Sequence, residues 1–271
     1  MTQQLPALVG ALRYEFRMQV RRPTVWITFA IFTVLLVVLV NQGPVITVRG
    51  YFATLLAHES LSKAVADWCF NIASYLPICV GCLLAGRLVR DRRTKVDELF
   101  TALPTPLRTR LFGKYLGALL ATALPMFLVY MLGIVYLAAL AHNPLAILLA
   151  LETFVVLALP GVMFVSAFSI AVPVLLWVPL YQFLFIGYWF WTTLWFHAEL
   201  PNLARTLLSP ISLYIAMGIY GLNESDSGPN HPIHITGTPA QGILSAALLL
   251  GVAAVVLVMC DRYLTWRQAR Q

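Results

Sequence analysis

The chain of 271 residues is 60% hydrophobic and only 11% charged, with a mean hydropathy of +0.82, and no soluble core could absorb that much apolar surface. A net charge of +7 would suit a nucleic-acid binder, but in the topology below 15 of the 18 Lys and Arg residues fall on one side of a membrane and 3 on the other, which makes the excess a topology signal instead. Cys69, Cys79, Cys82 and Cys260 all lie in predicted spans and read as small hydrophobes, not as a disulfide framework.

Residues 5 to 22 form the first element. Leu5, Leu8, Leu12, Phe16 and Val20 line one face while Arg13, Phe16's neighbour Arg17, and Arg21 repeat along another, as in a cationic helix lying in the membrane interface. No small-residue cleavage site follows the first span, so no removable signal peptide is expected. Pro23 breaks the helix before span one, Thr24 to Asn41, which is long enough to cross ~30 Å of hydrocarbon. An outer loop is expected from Gln42 to Ala66. Span two, Asp67 to Leu88, carries Asn71, Ser74 and Tyr75, which a helix facing only lipid would avoid, and Pro77 should kink it.

Arg87 to Lys114 is a polar island holding eight Lys and Arg residues, and positive loops of this kind stay in the cytoplasm. Thr94 with Asp97 has the spacing of a capping box, and Val96, Leu99, Phe100 and Leu103 form one apolar stripe on a two-turn helix. Pro104 ends that helix, and Thr105-Pro106 opens the next. An apolar ridge on a cytoplasmic stub wants a partner, either the membrane surface or another protein. Asp97 and Glu98 disfavour close apposition to anionic lipid.

Span three is expected from Tyr115 to Leu140, with Pro125 inside it, and Ala141-His142-Asn143-Pro144 should make a tight outer turn. From Leu145 to Phe196 the only charged residue is Glu152, so these residues make two crossings with an inner turn near Ser169 to Pro173. Trp195-Phe196-His197 marks the outer interface. Leu203 to Tyr220 is apolar but interrupted at Ser209-Pro210, which fits a re-entrant or outer-surface helical pair, and Asn223 to Gln241 reads as an exposed outer loop. Span six, Gly242 to Cys260, leads to Asp261-Arg262, Arg267 and Arg270, which place the C-terminus inside with the N-terminus. The expected fold is thus an all-α, six-span membrane protein forming one domain over residues 1–271.

An N-terminal amphipathic helix, a span, a kinked span and then RDRRTKVDELFTALPTPLRTRLFGKYLG together resemble the permease subunit of an ATP-binding-cassette exporter, of the type-2 permease superfamily. The matching residues are Thr94, Asp97, Glu98, Leu99, Phe100, Ala102, Leu103, Pro104, Pro106, Arg108, Gly113 and Lys114. The resemblance implies a coupling helix at Lys95 to Leu103 that docks on a separate ATPase subunit, with Thr94, Lys95, Val96, Asp97, Glu98, Leu99, Phe100, Leu103, Pro104 and Arg108 as the coupling residues. Arg13, Phe16, Arg17 and Arg21 of the first helix would flank that contact. It further implies two ATPase chains carrying the ATP and Mg, no cofactor in this chain, and a second permease chain, identical or paralogous. Spans two and five would move at the interface between permeases, in the plasma (inner) membrane. The uncharged turn between spans four and five departs from the family pattern.

The chain has no G-x-x-x-x-G-K-[ST] loop, so any ATPase motor of that kind is another polypeptide. Nor does it carry H-E-x-x-H or G-x-S-x-G. Glu152 is the ionisable group to explain within a span: either it faces a substrate path or it reaches the interface or a neighbouring helix. Asn71 and Gln182 either line the same path or act as interhelical glue. His58, His142, His197, His231 and His234 all fall on the outer side, and His231-Pro232-Ile233-His234 lacks the further ligands of a metal site, as does the Cys79, Cys82 pair. Asn223-Glu224-Ser225 matches a glycosylation acceptor with nothing else to mark a secretory cargo. Two other classes stay open: an intramembrane enzyme, and an assembly protein without transport activity.

Overall fold

The computed structural model describes residues 4–40, 48–93, 106–194, 203–222, 237–268 and 270, and every regular element among them is a helix. In chain order these are α1 (Gln4–Val20), α2 (Pro23–Val40), α3 (Val48–His58), α4 (Leu61–Tyr75), α5 (Pro77–Leu84) and α6 (Arg87–Arg93). After them come α7 (Leu107–Ala141), α8 (Leu145–Thr153), α9 (Leu159–Ala171), α10 (Val178–Leu194), α11 (Leu213–Tyr220) and α12 (Pro239–Gln268). Among the described residues four helical runs are long and apolar enough to cross a membrane: Leu61–Arg90, Leu107–Ala141, Leu145–Val174 and Pro239–Arg267. A fifth joins them if α1 and α2, bent by 62° where they meet, make one broken crossing. Pro23 explains the bend, since it opens a helix readily and cannot continue one. The chain is a helical protein built for a membrane, and α10 adds a further, largely apolar helix of 17 residues.

The helix breaks follow local chemistry. Pro77 separates α4 from α5. Ahead of Pro160, which cannot donate to the preceding turn, residues Phe154–Ala158 open into a π turn. Pro125 is accommodated inside the 35 residues of α7. That helix ends as expected: His142 takes the left-handed conformation at φ 49°, the Asn143 N–H reaches back to the Ala138 carbonyl, and Asn143 Oδ1 accepts from the Leu145 N–H at 3.0 Å.

Several boundaries differ from expectation, among them that of the last helix, which runs Pro239–Gln268 and so begins inside the expected outer loop and passes Cys260. The stretch Gln42–Ala66 is not all loop, because it contains α3, whose Phe52 is fully buried and meets the Trp68 ring edge-on at 5.3 Å. α4 begins at Leu61, ahead of Asp67, because Ser60 caps it by accepting from the Lys63 N–H. The turn before α10 falls at Val172–Val174 and the residues after it, slightly later than Ser169–Pro173.

One core cluster joins α2, α3, α4, α5 and α7 through α12 and includes Leu36, Trp68, Ile72, Tyr130, Leu157 and Trp189. The interrupted segment after α10 packs into this bundle, with Ile211, Leu213, Ile215 and Ala216 buried. Its break at Pro210 lies on α9 at Gly161, where a Cβ would come within 2.5 Å of the Pro210 carbonyl oxygen.

Gly161→Val should therefore lower thermal stability by about 1–3 kcal/mol, because backbone on the facing segment cannot give way cheaply. Gly251→Ala, which meets nothing within 4 Å, should leave the melting transition of the purified protein in detergent unchanged or slightly raised.

Candidate functional site

The basic residues that flank the expected coupling helix converge at one end of the bundle, where α1, α6, α7 and α12 meet. α1 runs along the first half of α7 in the same direction, with Leu8 and Ala11 against Gly113, and Leu12 and Glu15 against Gly117. A Cβ on Gly113 would stand 2.7 Å from that of Ala11, and one on Gly117 would stand 2.6 Å from the Leu12 carbonyl oxygen. Gly113, Gly117 and the fully buried Ala121 repeat every fourth residue, so they form a groove of small residues in which the second backbone lies.

Close approach brings a polar pair into the seam. Glu15 is 3% exposed and Gln19 is fully buried, and the Gln19 amide donates to Glu15 Oε1 at 2.8 Å. The Arg87 guanidinium, with its side chain 10% exposed, lies 3.6 Å from the same carboxylate oxygen. Lys114 and Arg22 also sit within electrostatic reach of Glu15, and Arg90 within reach of Arg22 and Arg87. One buried carboxylate thus holds together cations from the α1–α2 bend, α6 and α7. An isolated buried charge costs several kcal/mol, so this convergence is what makes Glu15 tolerable there.

The far side of α7 has its own anchor. Arg108 Nε donates to Asp261 Oδ2 at 2.9 Å, tying the first turn of α7 to the last turns of α12. Beside it Leu111, Cys260 and Leu264 form a small separate core that Leu88, Leu107 and Val174 join. Asp261 is buried while Arg108 is mostly exposed, and Asp261 Oδ1 has no hydrogen-bond partner among the described residues.

The structure disperses the sequence-predicted site residues into several neighbourhoods. Arg13, Arg17 and Arg21 are exposed and Phe16 is half-buried. The face of α1 that packs is not the whole stripe expected: Leu5 stays 70% exposed, while Glu15 and Gln19 are buried in its place. Thr94, Lys95, Val96, Asp97, Glu98, Leu99, Phe100, Leu103 and Pro104 lie outside the described residues, as do His197, His231 and His234. Asn71, Glu152 and Gln182 do not converge. Asn71 donates to Tyr51 Oη at 3.1 Å and to Asp67, and the Tyr51 hydroxyl donates to Asp67 Oδ2, which ties α3 to α4. Burial first, and Asp67 second, push the Tyr51 hydroxyl well above its ordinary value, so it remains a donor. Gln182 donates to the Cys82 carbonyl at 3.0 Å, and Glu152 is exposed close to Tyr220. An apolar crevice lined by Phe32, Leu36, Tyr75, Ile78, Trp189 and Thr193 includes none of the three. Among the described residues no cluster of three or more His, Cys, Asp or Glu side chains is placed to hold a metal ion.

Sequence reasoning missed Glu15, Gln19 and the glycine seam. The signal was present in the Gly-x-x-x-Gly-x-x-x-Ala spacing of residues 113 to 121 and in the pairing of Glu15 and Gln19 one turn apart on the α1 face that carries Leu8 and Leu12.

No family model matches the chain, and no curated protein matches it significantly.

Removing one partner of a buried ion pair leaves the other uncompensated, so Glu15→Ala should cost about 3 kcal/mol, and Gly117→Val should have a similar effect by prising α1 from α7. Arg108→Ala should cost about 1–3 kcal/mol, because although Arg108 itself is open to solvent its removal leaves the buried Asp261 carboxylate without its described partner. Thermal melts of the three variants in one detergent check the ranking.

Proposed function

We propose that the chain is the permease subunit of an ATP-driven exporter of the type-2 superfamily, set in the plasma (inner) membrane with six crossings and both termini in the cytoplasm. Two copies, or one copy and a paralogue, would pair with two separate ATPase chains. The observation that carries this reading is the way the two ends of residues 94–105 are held. On one side α6 is tied to Glu15 through Arg87 and packed through Leu88; on the other, the first turn of α7 is tied to Asp261 through Arg108 and packed through Leu107 and Leu111. The stretch between bears the stripe Val96, Leu99, Phe100 and Leu103, which the sequence spaces as a ridge suited to a protein groove.

In this mechanism ATP closes the ATPase pair and residues 95 to 103 receive the motion. α1, α6 and α7 receive it as one body because Glu15 joins all three. Alternating access requires that the ridge bind differently in the two nucleotide states, since a partner with equal affinity for both shifts nothing. Transported cargo would pass between the two permeases, near the spans that contain α5 and α10.

Purification of the native chain in mild detergent should recover a nucleotide-binding subunit in stoichiometric amount, and Leu99→Asp or Phe100→Asp should abolish its recovery. In proteoliposomes the same variants should lose permease-stimulated ATP turnover by about tenfold or more. Recovery of the ATPase undiminished by both substitutions overturns the proposal. Substrate turnover by the chain without any ATPase, abolished by Glu152→Gln, would point to an intramembrane enzyme, and a complex that the ridge variants disperse with no change in flux would point to an assembly protein.

A further inference from the structure

We propose that the turn between α9 and α10, residues 172–177, is sunk in the boundary between acyl chains and headgroups of one membrane leaflet and anchors the α9–α10 hairpin there. Leu175 and Leu176 lie among acyl chains and Trp177 lies at headgroup level, so the occupant of this exposed apolar surface is phospholipid. The inference rests on the membrane reading and not on the exporter reading.

Contacts along α10 fix the depth of the turn. Trp189 reaches the Ser74 carbonyl, Phe185 lies over Gly81 and Gln182 reaches the Cys82 carbonyl, so α10 runs antiparallel to α4 and α5. Val178 continues the series, with its Cγ1 4.0 Å from where a Cβ on Gly86 would stand. The turn is therefore level with Arg87 and Arg90, where the apolar run Leu61–Arg90 ends. On its other side Ala171 and Val174 join the small core of Leu111, Cys260 and Leu264, close to Arg108 and Asp261. Each neighbouring element turns charged at this depth. The turn does not, for no Asp, Glu, Lys or Arg lies between Glu152 and Glu199. Instead Leu175 is 69% exposed and Trp177 67%, with Leu176 exposed between them.

The backbone of the turn suits an apolar medium. Pro173 and Pro179 have no N–H to satisfy, and the Val172 carbonyl accepts from the N–H groups of Leu175 at 2.9 Å and Leu176 at 3.0 Å. The Trp177 carbonyl accepts from the Tyr181 N–H at 3.0 Å, which starts α10 at once. Water or a protein groove would supply partners of its own and would not require this economy, whereas hydrocarbon supplies none. An indole joins an apolar ring to one polar N–H, the combination that settles at headgroup level. A second tryptophan marks the same plane. Phe32 and Leu36 of α2 share a crevice with Tyr75 and Ile78, so Trp26, roughly two turns before them, comes level with the end of α5 as Trp177 does.

The test uses the full chain in phospholipid vesicles, with a nitroxide spin label on Leu175→Cys or Trp177→Cys. Power saturation is read against oxygen, which partitions into lipid, and against a water-soluble nickel chelate. Leu128→Cys, on the exposed face of α7, is the lipid reference and Arg267→Cys the water reference, and the unsubstituted chain reports any labelling of the four native cysteines. Oxygen should relax the label at Leu175 severalfold more than the chelate does, as at Leu128, with the order reversed at Arg267 and an intermediate ratio at Trp177. Chelate access at Leu175 equal to that at Arg267, with Leu128 still in lipid, overturns the proposal by placing the turn in water. Low access to both reagents at Leu175 overturns it in favour of a protein cover, a second copy of the chain or another subunit. Should Leu175→Cys fail to fold, Leu176→Cys gives the same readout. Chelate access at Leu128 would remove the membrane reading and this proposal with it. No ATPase is present in the vesicles, so the outcome stands apart from whether one docks on residues 94–105.

Discussion

A carboxylate held out of water between two helices governs the basic end of this protein. Glu15 is buried in the α1–α7 seam with Arg87 beside it, and the two would not be close without the glycines that let the backbones touch. Geometry and charge are therefore one constraint. Filling Gly113 or Gly117 moves the carboxylate away from Arg87, and removing the carboxylate takes away the ion pair that ties α6 to α1. The loss in either case falls on three elements at once.

The rest of the bundle answers a second constraint, that a backbone carbonyl freed inside an apolar medium must find a donor. The second apolar run is broken after Tyr75 at Pro77 and again after Leu84. α10 supplies donors near both breaks: Trp189 Nε1 reaches the Ser74 carbonyl at 2.8 Å and Gln182 Nε2 reaches that of Cys82 at 3.0 Å. Between them Phe185 lies over Gly81, where any Cβ would collide with its ring. Residues 182, 185 and 189 make one stripe down α10, so a kinked helix and its partner lock by shape and hydrogen bonding together. Interhelical bonding accounts for the place of Gln182 in this apolar helix, as it does for Asn71 with Tyr51 and Asp67.

These two constraints were unequally legible in the sequence. The Pro77 break, the His142-Asn143 turn and the interruption at Ser209-Pro210 are local signals, written in residues close together, and the structure places them where they were expected. α3 and the early start of α4 were hidden because hydropathy treats a moderately polar stretch as a loop, whereas Ser60 as a cap and Phe52 as a buried anchor make it helical. The seam was hidden for a different reason. Sorting α1 by hydrophobicity gives the face that avoids water, but helices in an apolar medium associate by close packing and polar pairing. That criterion selects Gly113, Gly117, Glu15 and Gln19, which an amphipathic reading passes over.

The two anchors of residues 94–105 differ in strength, and the difference has a mechanical consequence. At the α1 side the ion pair is almost fully enclosed and backed by a tightly apposed helix seam, so pulling it apart exposes a buried charge at a cost of several kcal/mol. At the α12 side Arg108 is 62% exposed, so water can replace part of what it does, while the buried Asp261 keeps one oxygen without a described partner. Under the proposed coupling, the more exposed anchor would yield first, and α1, α6 and the first turns of α7 would move as a unit with the displacement taken up against α12. The small core of Leu111, Cys260 and Leu264 is where that sliding would be felt, because it is the packing that joins the start of α7 to the end of α12.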